Sequence, residues 1–316
     1  MIEFSRRKEA VQTVKVGLAL GGGGARGLAH LGVLNTLEEN SIPVDMVAGT
    51  SMGAIIGAMY AQNPDARAVI DRFRSYLGKS DYEVLGLEDI VPTEEESMPM
   101  LQRFARTIAK RIHISSIGSR SSLLKPDVLD NAICHLIDDG HIEDAAIPFG
   151  AVVTDLNSGE ALLLQKGDIR RAVRWSALIP AFLPPETNEG RLIADGAVTT
   201  PVPVDLTRAM GADVVIAVSV NPTVMTSLED QSIISIMQRC DLIRGVHMSR
   251  LQLERADVVI HPDTADSHWS LFLECDRFID AGGREANARV PEIHRLLKKR
   301  TSWLSSVIDL VRRGGK

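Results

Sequence analysis

The feature that most constrains the fold is an alternation of apolar strands, glycine-rich turns and helices over the first 64 residues. Val14–Leu20 is aliphatic and ends in four glycines, which predicts a buried strand followed by a tight turn. Leucines then recur every three residues, which predicts a helix ending near Asn40. Val44–Gly49 predicts a second strand and Met52–Gln62 a buried helix. This order is typical of α/β proteins, in which helices cover a mostly parallel sheet.

The rest of the chain continues the pattern with one interruption. Later strands are predicted at Phe149–Thr154, Ala161–Gln165, Arg191–Ala194, Val214–Val220 and Val258–His261, and helices at Asp127–Asp138, Ile169–Ser176 and Leu228–Leu253. Residues 78–125 do not fit the alternation, because an acidic segment with prolines precedes an amphipathic stretch at 100–112. We interpret 78–125 as an insertion: a lid over a site, a helix packed on the body or a contact with a membrane surface.

Composition excludes several classes of protein. The formal net charge of −6 disfavours a nucleic-acid binder. The three cysteines lie far apart in the chain, which disfavours a disulfide framework or a zinc site and favours a reducing cytoplasm. Basic residues precede Val14, as they do in a signal peptide. However, further charged residues interrupt the start of the apolar run, and that run ends in glycines, so a signal peptide is not expected. Residues 46–64 are too rich in small and polar residues for a membrane span.

The C-terminal segment differs from the body in charge. Residues 292–316 contain seven basic residues against Glu292 and Asp309. Within 292–311, apolar residues recur at helical spacing. This basic amphipathic helix either packs on the domain or on a second subunit, or attaches the protein to a membrane surface.

The glycine turn after the first strand has the spacing G-x-G-x-x-G at Gly22, Gly24 and Gly27. Backbone N–H groups at a helix N-terminus bind anions, so the turn suits a dinucleotide or another negative charge. A dinucleotide site also needs an acidic residue at the end of the second strand, whereas Asp45 lies at its start. The sequence therefore disfavours a dinucleotide enzyme.

The second turn, Gly49-Thr50-Ser51-Met52-Gly53, is G-x-S-x-G between a predicted strand and a predicted helix. That context is the one a nucleophile elbow requires, since the serine occupies a strained turn and side chains at the glycines would clash. The helix N-terminus at Met52 adds partial positive charge and an N–H for an oxyanion. We therefore predict that Ser51 is a nucleophile.

A serine nucleophile needs a group that accepts its proton. Four of the eight histidines lie in the half of the chain where a triad histidine is expected, and none stands in a glycine-rich turn. They are His247, His261, His268 and His294, of which His261 is best placed, at a strand end. Asp195 offers an alternative, because an aspartate between a strand and a glycine turn can project into a cleft at the carboxyl edge of a sheet. An Asx turn would explain the same residue structurally.

Three motifs, GGGGARG at 21–27, GTSMG at 49–53 and DGA at 195–197, resemble those of the patatin-like phospholipases in order and spacing. The likeness is to the bacterial single-domain, neuropathy-target-esterase-like type. It runs from about Lys15 to about Asp263 and includes VTDLNSGE (153–160) and SALIPAFLPPE (176–186). The resemblance implies a nucleophile at Ser51, a base at Asp195, an oxyanion loop at Gly22, Gly23, Gly24 and Arg26, and motif glycines at Gly27, Gly49, Gly53 and Gly196. Ala197 stands where the family often has a second glycine.

The resemblance further implies a three-layer α/β/α sandwich with a mostly parallel central sheet, forming a single catalytic domain over 1–316 with its core at about 15–263. The implied reaction is hydrolysis of fatty-acyl esters of phospholipids or lysophospholipids without a metal or other cofactor. A regulatory or lipid-binding module with weak catalysis is the alternative. The expected partner is a lipid or acyl ester, with no nucleic acid; peripheral contact with the inner membrane surface and a homo-oligomer stay open. The expected location is the cytoplasm.

Overall fold

The computed structural model describes residues 14–78, 126–180, 182–222, 227–228, 233–264 and 272–314. Within these residues the eight strands are β1 (Val16–Leu20), β2 (Met46–Thr50), β3 (Phe149–Asp155), β4 (Glu160–Leu164), β5 (Glu186–Asn188), β6 (Arg191–Asp195), β7 (Val214–Val218) and β8 (Val258–Ile260). The α-helices in these ranges are α1 (Ala29–Glu39), α2 (Met52–Gln62), α3 (Ala66–Gly78), α4 (Pro126–Leu136), α5 (Ile169–Ser176), α6 (Val204–Ala209), α7 (Ile233–Leu253) and α8 (Cys275–Gly314). Residues 79–125 of the predicted insertion lie outside the described residues.

All eight strands form one mixed sheet. Five of them are parallel neighbours in the order β3, β2, β1, β7, β8. Strands β4 and β6 both pair antiparallel with β3, and β5 pairs antiparallel with β6. The parallel part confirms the fold expected from the alternating sequence, while the antiparallel strands extend the sheet on the side of β3.

Helices cover both faces of the sheet, because the central strands are apolar on both faces. In β1, Val16, Leu18 and Leu20 belong to the large core under α1, α2 and α8. Ala19 points to a second, smaller core that includes Val204 of α6. The molecule is therefore the three-layer α/β/α sandwich that was expected.

Helix α1 follows the glycine turn directly and packs against α8 through glycines. A Cβ on Gly32 of α1 would overlap the carbonyl oxygen of Ile279, and one on Gly282 of α8 would overlap the carbonyl oxygen of Ala29. The two helix backbones thus touch at positions where any side chain would separate them. This contact ties the C-terminal helix to the helix that carries the glycine turn.

Several differences from the sequence predictions concern helices. Helices α3 and α6 were not predicted. Helix α7 begins at Ile233 and not at Leu228. Helix α8 begins at Cys275, 17 residues before the predicted amphipathic segment, and runs through Pro291. Phe278, Ile279 and Ile293 are buried in the main core, so the core includes residues beyond 263.

Candidate active site

The G-x-S-x-G turn is the sharp connection between β2 and α2. Ser51 has φ 54° and ψ −120°, a conformation that L-residues rarely adopt and that is characteristic of a nucleophile elbow. The flanking glycines are needed for packing, because a Cβ on Gly53 would overlap the carbonyl oxygen of Leu20 and one on Gly49 would overlap the carbonyl oxygen of Gly53. The turn therefore places Ser51 at the end of β2, and no residue larger than glycine fits at positions 49 and 53.

Asp195 reaches Ser51 through the register of two strands on the same edge of β3. Strand β4 pairs along the other edge throughout residues 151–155. On the shared edge, β2 ends with Thr50 opposite Val152, and β6 arrives from the opposite direction with Asp195 opposite Val153. The two strands thus meet end to end, and the Ser51 hydroxyl donates a hydrogen bond to the Asp195 carboxylate. Asp195 was expected in a cleft at the carboxyl edge of the sheet; because β6 is antiparallel to β3, the contact arises from the end-to-end meeting of β2 and β6.

The environment of Asp195 makes it a stronger base than an exposed aspartate. Its side chain is buried, with 3% of the residue exposed. Burial raises the pKa of Asp195 to about 6, although hydrogen bonds from the Ala197 N–H and the Ser51 hydroxyl favour the charged form and oppose that rise. The carboxylate is therefore largely ionised at pH 7, with a pKa close to the value at which a general base is most effective.

Ser176 at the end of α5 holds the backbone of Ser51, the predicted nucleophile. Its fully buried Oγ accepts the Ser51 N–H at 2.9 Å and donates to the Val152 carbonyl oxygen at 2.6 Å. Through this hydroxyl, the strained residue is tied to β3 beside the junction of β2 and β6. The family resemblance covers the segment that begins at Ser176 but implies no role for this residue; a serine on an otherwise apolar helix face was the available signal.

The glycine turn lies against the Ser51–Asp195 pair. A Cβ on Gly22 would lie 3.3 Å from the Ser51 Cβ and 3.5 Å from the Ala197 Cβ, so this backbone forms one wall of the site. Gly24 has φ 58°, which a glycine adopts without strain. A Cβ on Gly27 would overlap the Met52 side chain, which fixes the approach of the turn to α2.

Two residues of the predicted oxyanion loop have contacts of their own. The Gly22 N–H donates to the Pro201 carbonyl oxygen at 3.0 Å, so this amide already has an acceptor. Arg26 is half-buried, burial lowers its pKa to about 10, and its Nε donates to the Gly23 carbonyl oxygen at 3.3 Å. Arg26 thus steadies the loop through its backbone.

The histidines considered for a triad are not brought to Ser51 in the described part of the chain. His247 and His294 are exposed on α7 and α8, and His268 lies outside the described residues. The pKa of His261 is lowered by burial, and its hydrogen-bond partner is the Asn221 backbone. Among described residues, Asp195 is the ionisable group on the Ser51 hydroxyl.

The fold and the placement of the three motifs define a class of protein. The family model described as patatin-like phospholipase matches residues 18–208, which contain the glycine turn, Ser51 and Asp195. The chain belongs to the patatin-like phospholipase family.

Several curated relatives are similar over most of this chain. Patatin-like phospholipase domain-containing protein 6 of Mus musculus is 33% identical over 228 residues, which are 72% of this chain and 15% of the relative. Lysophospholipase NTE1 of Mycosarcoma maydis is 31% identical over 230 residues, 73% of this chain and 11% of the relative. An uncharacterised NTE family protein of Mycobacterium bovis is 33% identical over 207 residues, 66% of this chain and 49% of the relative. The chain thus spans about a seventh of the length of the first relatives it matches.

Solved structures include a human GIVD cytosolic phospholipase A2, with 13% sequence identity and a TM-score of 0.49 over 94% of this chain and 61% of the other.

Proposed function

We propose that this protein is a serine acyl hydrolase that cleaves fatty-acyl esters of phospholipids or lysophospholipids. The observation that carries the proposal is the hydrogen bond between Ser51, in the conformation of a nucleophile elbow, and the buried carboxylate of Asp195. Membership of the patatin-like phospholipase family supports it. So do relatives named as a phospholipase domain protein and a lysophospholipase.

In the proposed reaction, the Ser51 Oγ attacks the acyl carbonyl carbon while Asp195 accepts the hydroxyl proton. The ester C–O bond then breaks, and the leaving alcohol takes the proton from Asp195. Water attacks the acyl-serine in the same manner, with Asp195 again accepting and returning a proton. A pKa of about 6 suits both directions of transfer, since the carboxylate is charged at neutral pH and still holds a proton transiently.

The tetrahedral oxyanion needs donors that are not already engaged. The Gly22 N–H is directed to Pro201 and the Ser51 N–H to Ser176. We therefore assign the oxyanion to the amides of Gly23 and Gly24, with the Met52 N–H at the start of α2 as a further donor. This differs from the sequence prediction in leaving Gly22 as a wall. Loss of one such donor costs about 2.7–4 kcal/mol of transition-state stabilisation.

The decisive experiment compares wild type with Ser51→Ala and Asp195→Asn on phospholipids, lysophospholipids and a soluble acyl ester. Both variants should lose hydrolysis while retaining the wild-type circular dichroism spectrum. Ser75→Ala is a matched control, since Ser75 is exposed on α3 and should leave activity unchanged. A fluorophosphonate should label Ser51 alone, and labelling of another residue would contradict the proposal. A folded wild type that hydrolyses none of these substrates would favour the lipid-binding alternative.

Contact with a membrane surface is a second part of the proposal. The described end of α8 exposes Lys298 and Lys299, and Trp303 is 60% exposed. Basic residues beside an exposed tryptophan are typical of helices that lie on anionic lipid. None of the helices in the described ranges is long and apolar enough to span a bilayer.

Flotation with vesicles tests this contact. The protein should float with phosphatidylglycerol-containing vesicles and much less with pure phosphatidylcholine. Lys298→Glu combined with Lys299→Glu should abolish flotation without altering hydrolysis of a soluble ester. Arg300 is left unchanged, because it pairs with Asp257 at 3.3 Å. Absence of wild-type flotation with anionic vesicles would refute this part.

A further inference from the structure

His30 is a buried histidine beside the glycine turn that the proposed reaction does not use. It lies in the first turn of α1 and is fully buried. Its Nε2 lies 2.8 Å from the carbonyl oxygen of Gly21. Since a carbonyl oxygen only accepts, Nε2 must carry the hydrogen, and the neutral ring then has a bare lone pair on Nδ1. That Nδ1 is buried and has no hydrogen-bond partner among the described residues.

The ring is therefore held in one protonation state. Burial lowers the pKa of His30 to about 4, because a charged ring would place a second N–H where no acceptor exists, although the Gly21 contact alone would raise it. At neutral pH the ring can donate one hydrogen bond from Nε2 but is a poor proton acceptor. His30 is therefore excluded as the general base, and the interaction that its ring makes is the hydrogen bond to the Gly21 carbonyl oxygen.

That contact acts on a peptide group at the wall of the site. The Gly21 carbonyl and the Gly22 N–H belong to the same planar peptide. His30 binds the oxygen of this peptide, and the Pro201 carbonyl accepts its N–H at 3.0 Å. The peptide is thus clamped at both ends, and rotating it would break both hydrogen bonds. The next residues along the chain are Gly23 and Gly24, the proposed oxyanion donors.

The imidazole has opposing effects on stability. Its unpartnered Nδ1 opposes folding, whereas the hydrogen bond from Nε2 satisfies the buried Gly21 carbonyl oxygen, so we expect little net gain in stability from the ring. The ring also touches a region where glycine is required, since its Cδ2 lies 3.7 Å from where a Cβ on Gly27 would be. The feature that an apolar side chain could not reproduce is the N–H directed at Gly21.

We infer that His30 is a positioning residue, whose Nε2–H fixes the Gly21–Gly22 peptide and thereby aims the following amides at the oxyanion. This inference rests on the proposed hydrolase function. His30 does not touch the reacting atoms and acts through the backbone of the loop. Its contribution belongs to the transition state, because the oxyanion exists only there, so kcat should change and KM should not.

The test compares His30→Leu with His30→Gln on a soluble acyl ester. Leucine fills similar space without a donor, whereas the glutamine amide can donate in place of Nε2–H. Leucine should lower kcat by about 10- to 100-fold, somewhat less than loss of an oxyanion donor itself, with KM within twofold of wild type. Glutamine should restore kcat to within about threefold. His135→Leu is the matched control, since the His135 ring also contacts a backbone carbonyl, that of Asn131, but is exposed.

Melting temperatures separate positioning from a general loss of structure. His30→Leu removes the unpartnered Nδ1 but leaves the buried Gly21 carbonyl oxygen without a donor, so its melting temperature should stay close to that of wild type, despite its lower kcat. If His30→Leu kept the wild-type kcat, or if both variants lost activity in proportion to a lower melting temperature, the inference would be overturned while Ser51-dependent hydrolysis by wild type still stood. If wild type showed no Ser51-dependent hydrolysis, the proposed function would fail first and the inference with it.

A spectroscopic readout is independent of turnover. In ¹⁵N-histidine-labelled protein, one ring should show the Nε2–H tautomer unchanged from pH 8 to pH 5, and its signals should vanish in His30→Gln. A His30 ring that titrates near pH 6.5, or one protonated on Nδ1, would contradict the clamp described above.

Discussion

The buried carboxylate of Asp195 should make the folded protein less stable at neutral pH than at acid pH, and Asp195→Asn should remove that effect. Asparagine keeps an oxygen that can accept the Ala197 N–H. What it removes is the charge. The difference in unfolding free energy between variant and wild type therefore isolates the consequence of ionising this one buried group.

The sign and size follow from linkage. The pKa of Asp195 rises from an ordinary 3.8 to about 6 in the folded protein. Between these values the folded state holds a proton that the unfolded state has lost, so wild-type stability falls as pH rises from about 4 to about 6. A difference of about 2 in pKa at 1.36 kcal/mol each corresponds to about 3 kcal/mol. The variant should gain about this much relative to wild type between pH 4 and pH 7.5.

The measurement is urea-induced unfolding of both proteins by circular dichroism at several pH values from 4 to 7.5. Titration of all other groups is common to both proteins and cancels in the difference. A difference that stays constant over this range would refute the argument from burial. A wild type that gains stability relative to the variant as pH rises would show that a cation near Asp195 outweighs its burial.

Three further predictions concern activity and packing. Wild-type kcat/KM should rise with pH through about 6 as one proton leaves Asp195, and then remain constant; a profile that is flat from pH 5 to 8 would contradict the assigned base. Ser176→Ala should remove the acceptor of the buried Ser51 N–H, cost about 1–3 kcal/mol in urea unfolding and lower kcat, whereas wild-type values of both would show that this hydroxyl is dispensable. Gly32→Ala should destabilise the fold by at least about 1–3 kcal/mol because its Cβ would overlap the backbone of α8. The control Gly245→Ala, on α7 with open space around it, should instead be neutral or stabilise by up to about 1 kcal/mol, and equal effects of the two substitutions in urea unfolding would refute the packing argument.

The sequence predicted those parts of the molecule that depend on local chemistry. The alternation of strands and helices around the two glycine turns follows from hydrophobic periodicity and from turns that need glycine, both readable within a few residues. For the same reason Ser51 could be singled out, because the elbow is defined by its immediate neighbours.

The remaining features depend on long-range register, which local patterns do not encode. Asp195 meets Ser51 because β6 runs antiparallel and ends opposite Val153, and nothing near residue 195 indicates that direction. Ser176 contacts backbone groups of Ser51 and Val152, which are distant in the sequence. His30 contacts the backbone of the turn that precedes its helix. Helix α8 is continuous through Pro291, although proline is most usual in the first turn of a helix, so its start at Cys275 could not be read from the residues near 292.

The glycine contact between α1 and α8 also sets the smallest piece of this protein that can be transplanted. The family match ends at residue 208, yet a chain cut there would lack β7, β8 and α8. It would leave β1 without one parallel neighbour and would open the small-residue face of α1 to water. The region that matches the family model is therefore shorter than the region needed for a complete fold. Anyone grafting this domain into another protein should place the downstream junction after Ile293, the last fully buried residue of α8 in the described chain.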